Sequence, residues 1–288
     1  MIFIFQFTRI PGTLIGSAIG DAMGAPFEGS ENIAHIPNRM IGGGPFQARR
    51  GEYTDDTLQT IALAETLVTC RGFSTIDFLS RLVKMFRMHP EYFGRTSSTV
   101  LLKLIEGIPP EKATERSGRT NGAVMRGSPI GIFYRPDQVL LMSRIASETT
   151  HGHPVAVACS GVVNQMISIL CRGGSRQEAF FTALESCEVD EVRRRIALLG
   201  GDPLIPSIDA LDTTHAAITC FMECGTFKEM ILRAISLGGD TDTTAAICGA
   251  LGGAYHGVQG IPGEWIADLE GAQRLLMLEE EVWNAGQR

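Results

Sequence analysis

The sequence predicts an all-α protein, a compact multi-helix bundle folded as one domain across residues 1–288. Helix starts recur along the chain. Ser175-Arg-Gln-Glu178 and Thr226-Phe-Lys-Glu229 each set a hydroxyl at an N-cap and a carboxylate three residues later, so two orphaned N–H groups find acceptors. Between breakers run segments of helical periodicity, such as 58–70 and 78–86. No convincing alternating strand appears beyond the N-terminus. A chain of 288 residues buries a substantial core, and 44% hydrophobic with 20% charged residues is the balance of an ordinary soluble globular protein.

The opening Met1-Ile-Phe-Ile-Phe-Gln-Phe7 is apolar, but it lacks a basic flank and is too short for a signal sequence; a short strand or a leader is expected. No apolar run is expected to reach transmembrane length. Gly12, Gly16 and Gly20 recur every four residues and predict a smooth helix face for close packing. No Lys-Ser/Thr pair and no dinucleotide spacing follows, which argues against a phosphate loop. Residues 41–46, Ile-Gly-Gly-Gly-Pro-Phe, read as a flexible loop. The helix 58–70 ends at Gly72. Ser74 caps the next, which buries Phe78, Leu79, Leu82, Val83 and Phe86 and closes at Pro90. Residues 91–98 are expected to be a loop before a helix at 99–105, and Asn121-Gly122 a turn whose neighbours leave N–H groups free for anionic oxygens. Further helices are expected at 189–199, 215–224 and 269–284, with Pro262 at a helix N1 position.

Charge and sulfur narrow the function. A net charge of −7 argues against a broad nucleic-acid-binding face, and Arg193-Arg194-Arg195 reads as a solvated helix face. Seven cysteines without Cys-x-x-Cys spacing read as reduced thiols of a cytoplasmic protein, neither zinc ligands nor a disulfide framework.

Two acidic clusters stand out. Ser236-Leu-Gly-Gly-Asp240-Thr-Asp242-Thr243-Thr244 joins a helix to a Gly/Ala-rich second helix through a glycine turn, which lets backbone approach a ligand closely. Gly51-Glu-Tyr-Thr54-Asp55-Asp56-Thr57 opens the helix at 58–70 in the same grammar of Thr and paired Asp. One Asp at such a place is ordinarily a cap. Two, flanked by Thr and Gly, exceed that need, and oxygen-only donors suit Mg2+ or Mn2+ better than zinc. Four Asp brought together could hold two ions.

These two stretches resemble the paired signatures of the ADP-ribosylglycohydrolases. The likeness extends through Gly12–Gly29, Asn121–Gly131 and Thr149–Pro154, roughly residues 9–272. It implies the orthogonal helical bundle of that family and an enzyme that removes ADP-ribose from protein side chains with two divalent cations, Mg2+ or Mn2+. Thr54, Asp55, Asp56, Asp240, Asp242 and Thr243 would hold the ions, and Glu28, Asp55 and Asp56 would serve catalysis. Gly94, Arg95, Asn121, Gly122, Ala123, Met125 and His151 would contact the ADP-ribose, the 121–125 segment mostly through backbone. The expected partner is an ADP-ribosylated protein, the product ADP-ribose, with no membrane or nucleic acid. Arginine linkage is favoured, although only Glu91 in residues 89–98 could pair a guanidinium. The same sugar in another linkage, or a non-catalytic binding or structural relative, is the alternative. Asp240-Thr-Asp242-Thr-Thr also looks like the nucleophile motif of haloacid-dehalogenase-type phosphohydrolases. It follows a capped helix and only 45 residues come after Thr243, too few for that fold.

Overall fold

The computed structural model describes residues 11–31, 33, 35–201 and 203–287. The expected N-terminal strand or leader lies outside them. The described residues form sixteen α-helices and no strand. In order they are α1 (Thr13–Gly24), α2 (Asp55–Cys70), α3 (Thr75–Met88), α4 (Arg95–Ile105), α5 (Pro110–Ala113), α6 (Gly122–Met125), α7 (Ser128–Phe133) and α8 (Val139–Ser147). The second half holds α9 (Pro154–Cys171), α10 (Arg176–Glu185), α11 (Asp190–Ala197), α12 (Ala210–Glu223), α13 (Phe227–Ser236), α14 (Thr241–His256), α15 (Gly263–Asp268) and α16 (Ala272–Gly286).

The centre of the bundle is a seam between α1 and α14. A Cβ on Gly16 would sit 2.3 Å from the Gly249 carbonyl oxygen, one on Gly20 2.0 Å from that of Ala245, and one on Gly253 1.8 Å from that of Gly12. The two helices therefore touch backbone to backbone, as the four-residue glycine spacing predicts. A Cβ on Gly24, at the end of α1, would sit 2.5 Å from the Cα of Asp242. The seam thus delivers the C-terminal end of α1 to the N-terminal end of α14, where the second acidic cluster begins.

Around the seam lies one continuous apolar core, and α9 runs through it against α7, α8, α10, α12 and α14. At 18 residues α9 is long and apolar enough to cross a membrane, contrary to the expectation that no run reaches that length. Its side chains are mostly buried among neighbouring helices, which accounts for its composition.

Several boundaries differ from expectation. α2 begins at Asp55, and α4 begins at Arg95 with Gly94 at its cap, so half of the anticipated 91–98 loop is helical and Pro90–Tyr92 is a short 3-10 turn. The helix expected at 269–284 is α16, which starts three residues later, at Ala272, after Gly271 at φ +65°. Pro262 is the cap of α15, one position ahead of N1. The Gly238-Gly239 turn has φ of +75° and +67°, and added Cβ atoms would strike the carbonyls of Ser30 and Pro206. Its close approach is to neighbouring backbone, not to open cavity. Across it the Gly29 N–H donates to the Gly239 carbonyl and the Gly239 N–H to the Ser30 carbonyl, which fixes the loop that carries Glu28.

Candidate active site

The two acidic clusters meet. Thr243 Oγ1 donates to Asp56 Oδ2 at 3.3 Å, joining the first turn of α14 to the first turn of α2. A cavity of about 250 Å3 opens beside them. Glu28, Asp55, Asp56, Asp240, Asp242 and Thr243 form its acidic floor. Gly94, Arg95, Asn121, Gly122, Met125 and His151 form its walls, and Phe46, Glu91, Tyr92 and Ile208 its rim.

Each acidic residue is held by a different device. Asp240 occupies the cap position of α14, yet its side chain makes no cap bond; it accepts from Asn121 Nδ2 at 2.6 Å. Asp242 Oδ1 accepts from the Thr243 N–H at 2.8 Å. Asp55 Oδ2 accepts from Gln59 Nε2 at 2.9 Å, one helical turn along. Asp56 Oδ1 and Glu28 Oε2 are buried without a hydrogen-bond partner. Burial, followed by repulsion from neighbouring carboxylates, raises Asp55, Asp56 and Asp242 well above the ordinary carboxylate range. Burial and the charges of Asp240 and Asp21 push Glu28 up to about 7.

This donor set fits hard cations. It is rich in carboxylate oxygen, two of those oxygens have no partner, and negative charge accumulates without matching cations on the floor. Among the described residues, no three His, Cys, Asp or Glu side chains already converge as a metal shell. Thr54 lies behind the cavity surface, 1% exposed, and donates its hydroxyl proton to Asp21 Oδ1 at 2.8 Å.

The family model for ADP-ribosylglycohydrolase matches residues 5–288. The chain belongs to the ADP-ribosylglycohydrolase family. It is 30% identical to the ADP-ribosylarginine hydrolase Tri1 of Pseudomonas putida, over 96% of this chain and 78% of that protein. It is 26% identical to the ADP-ribosyl-[dinitrogen reductase] glycohydrolase of Rhodospirillum rubrum, over 91% and 90% of the two chains. A solved structure described as an ADP-ribosylglycohydrolase-related protein complex superposes with a TM-score of 0.85 at 30% identity, covering 96% of each chain. The all-α bundle is the family's fold, and the chain is an enzyme of the ADP-ribosyl hydrolase class.

Of the residues expected to contact ADP-ribose, only Ala123 lies off the cavity; it is buried, and its carbonyl accepts from Ser160. The backbone N–H of Met125 is already donated to the Asn121 carbonyl at 3.1 Å, so a contact from Met125 would come from its side chain. Arg95 is the first residue of α4 and not a loop cation. His151 is buried, while His153 caps α9, its Nδ1 accepting from the Val155 N–H at 3.2 Å.

Asp21 was not expected. Fully buried on α1, it accepts from the N–H and hydroxyl of both Thr54 and Thr57 at 2.6–3.0 Å. It caps α2 from outside and so aims the turn that carries Asp55 and Asp56. A lone acid in the Gly/Ala-rich run 12–25 was the available signal, since an ionisable group in so apolar a stripe needs partners from elsewhere.

Proposed function

We propose that this cavity hydrolyses the bond between ADP-ribose and a protein arginine, with two divalent cations, Mg2+ or Mn2+, held by Asp55, Asp56, Asp240, Asp242 and Thr243 of the floor. From behind the floor they would also be held by the Thr54 hydroxyl oxygen, which keeps a lone pair after giving its proton to Asp21. The observation that carries the reading is the joining of α2 and α14 at Asp56 and Thr243, which gathers four aspartates on one floor. When bound, the cations would grip the ribose diol and lower the pKa of a water.

The chain's own residues do the rest. Asn121 holds Asp240, Gln59 holds Asp55, and Asp21 holds the start of α2, so the carboxylates are positioned before substrate arrives. Asp55 and Asp56 orient the attacking water toward the anomeric carbon, whose transition state has oxocarbenium character. Glu28, whose carboxyl burial and the charges of Asp240 and Asp21 push up to about 7, stands on the floor with Oε2 unpartnered and serves as the acid for the departing side chain. Gly94, Arg95, Gly122, Met125 and His151 line the walls that would take the ADP-ribose. Glu91 stands at the rim with its side chain 60% exposed, placed to meet a guanidinium, and a relative's name specifies ADP-ribosylarginine. Free thiols at all seven cysteines suit a reducing compartment, so a cytoplasmic setting is part of the proposal.

The test is release of ADP-ribose from ADP-ribosyl-arginine and ADP-ribosyl-serine peptides with Mg2+, Mn2+ or EDTA. Release from the arginine peptide that EDTA abolishes is expected. Release from serine alone overturns the linkage, EDTA-resistant turnover overturns the metal, and binding without release overturns the enzyme. Asp55→Ala, Asp56→Ala and Asp242→Ala should each cut turnover by at least about 100-fold.

A further inference from the structure

We infer that Arg126 is a positioning residue: from one buried guanidinium it fixes Asp55 through Gln59, and through Thr150, with Thr120 beyond the ring, it fixes His151 as the Nε2–H tautomer. The inference deepens the hydrolase reading of the same site and rests on it.

Arg126 follows α6 and is 2% exposed, with its guanidinium over the Phe78 ring at 5.4 Å. A guanidinium only donates, so Gln59 Oε1 and Thr150 Oγ1 must both accept from it. One arm, Nη1–H, donates to Gln59 Oε1 at 2.9 Å. That contact decides which end of the Gln59 amide faces which neighbour, and leaves Nε2–H to donate to Asp55 Oδ2 at 2.9 Å. Gln59 is fully buried and one turn past Asp55, so the carboxylate is held from its own helix and from α6 together.

The other arm, Nη2–H, donates to Thr150 Oγ1 in a short contact. That hydroxyl keeps one proton and a second lone pair for His151 Nδ1, 2.8 Å away, and Thr120 decides between them. The Thr120 proton goes to Thr96, so His151 Nε2 donates to Thr120 and Nδ1 of the neutral ring accepts from Thr150. An Nδ1 that accepts belongs to a neutral ring whose proton is on Nε2. Nε2–H then points to Thr120 Oγ1 at 3.1 Å, and the Thr120 hydroxyl donates onward to Thr96 Oγ1 at 2.9 Å. Burial and the charge of Arg126 both hold His151 well below the usual imidazole range, which agrees with a neutral ring. Burial lowers Arg126 only to about 10, so it remains the cation.

The ring needs room as well as a tautomer. A Cβ on Gly122 would lie 2.7 Å from His151 Cε1 and 2.8 Å from Nε2, so the glycine leaves the space that the imidazole uses. His151, Thr120 and Thr96 all line the cavity, and because each proton of the relay is passed on to the next oxygen, this arm presents the Thr96 hydroxyl proton to acceptor oxygens of a bound ligand. The two arms end on opposite tasks: one holds a carboxylate of the floor, the other arms a wall.

Imidazole nitrogen NMR at neutral pH, with His151 assigned by its loss in His151→Asn, reads the tautomer in the wild-type protein. Protonated Nε2 with bare Nδ1 is expected; the Nδ1–H form or an imidazolium overturns the inference. Calorimetry with ADP-ribose and turnover on the arginine peptide separate the arms. Thr150→Val should weaken ADP-ribose binding about 10-fold, with Thr150→Ser restoring it. Gln59→Met should lower kcat about 10–100-fold while ADP-ribose binding measured in EDTA stays nearly unchanged. Equal losses of binding and kcat in both variants, or none in either, overturn it. A wild-type protein that releases no ADP-ribose defeats the hydrolase reading, while the NMR result still judges the relay.

Discussion

Helix α10 begins at Ser175, whose hydroxyl accepts from the Glu178 N–H at 3.1 Å while Glu178 reaches back to the Ser175 N–H. Helix α13 begins the same way with Thr226 and Glu229. Helices α1 and α2 begin with no side-chain cap of their own. Their first N–H groups meet carboxylates from elsewhere: Glu279 of α16 takes those of Thr13 and Leu14, and Asp21 of α1 takes those of Thr54 and Thr57. A helix with its own cap satisfies its start at the surface and needs little from the fold. A helix capped by a distant carboxylate has a satisfied start only once the bundle has closed. The two borrowed caps fall on the central seam helix and on the helix that carries Asp55 and Asp56, so the geometry of the site is tied to completion of the fold.

The largest effect expected from breaking this arrangement is at Asp21. Asp21→Ala removes the acceptor for four donors in a fully buried place, and a destabilisation of about 3–5 kcal/mol follows from the unsatisfied groups left behind. Turnover should fall with it, since the first turn of α2 loses its anchor. Urea unfolding together with release of ADP-ribose checks both. A loss near 1 kcal/mol with full activity would make Asp21 an ordinary cap.

The second effect separates the two borrowed caps from each other. Both oxygens of Asp21 have donors, whereas Glu279 Oε2 is buried without a partner. Burial pushes Glu279 up to about 8 against an ordinary 4.5, despite the backbone N–H groups that pull it down. A folded pKa above the unfolded one means that the native state holds the proton more tightly. The stability tied to Glu279 is therefore complete below about pH 4.5 and is lost progressively as pH rises toward about 8. Glu279→Gln keeps an acceptor for α1 but does not titrate. Its melting curve should match the wild type in acid and exceed it by about 2–3 kcal/mol near neutral pH. A constant difference from acid to pH 9 would place a charged Glu279 in the fold.

The same contrast explains what could be read from the sequence. Ser175, Thr226 and Ser74 announce their helices because cap and carboxylate lie three residues apart. The glycines of α1 announce a seam because their spacing is that of a helix turn. Motif likeness placed the acidic floor, the walls and His151 on one family site, and all but Thr54 and Ala123 reach the cavity. Asp21 stands 33 residues before Thr54, and Glu279 stands 266 after Thr13. At such separations no local pattern reports a cap, because the pairing exists only through packing. The same holds for Arg126, whose partners Gln59 and Thr150 come from two other parts of the chain. Boundaries failed for a related reason. The start of α2 at Asp55 depends on Asp21, and the break before α16 is set by Gly271 in the left-handed region.

The smallest effect belongs to the self-sufficient cap. Ser175→Ala removes one half of an exposed capping box, and Glu178 can still accept from the backbone N–H of residue 175. A loss of about 1 kcal/mol is expected, within the usual range for such caps. ADP-ribose release should be unchanged, because α10 contributes nothing to the cavity. Measured beside Asp21→Ala, this substitution supplies the scale for the comparison. If Ser175→Ala cost as much stability as Asp21→Ala, distance along the chain would not distinguish the two kinds of cap. If it also lowered turnover, the separation of folding caps from site-forming caps would fail. A small loss of stability at full activity leaves the borrowed carboxylates as the caps that bind fold to function.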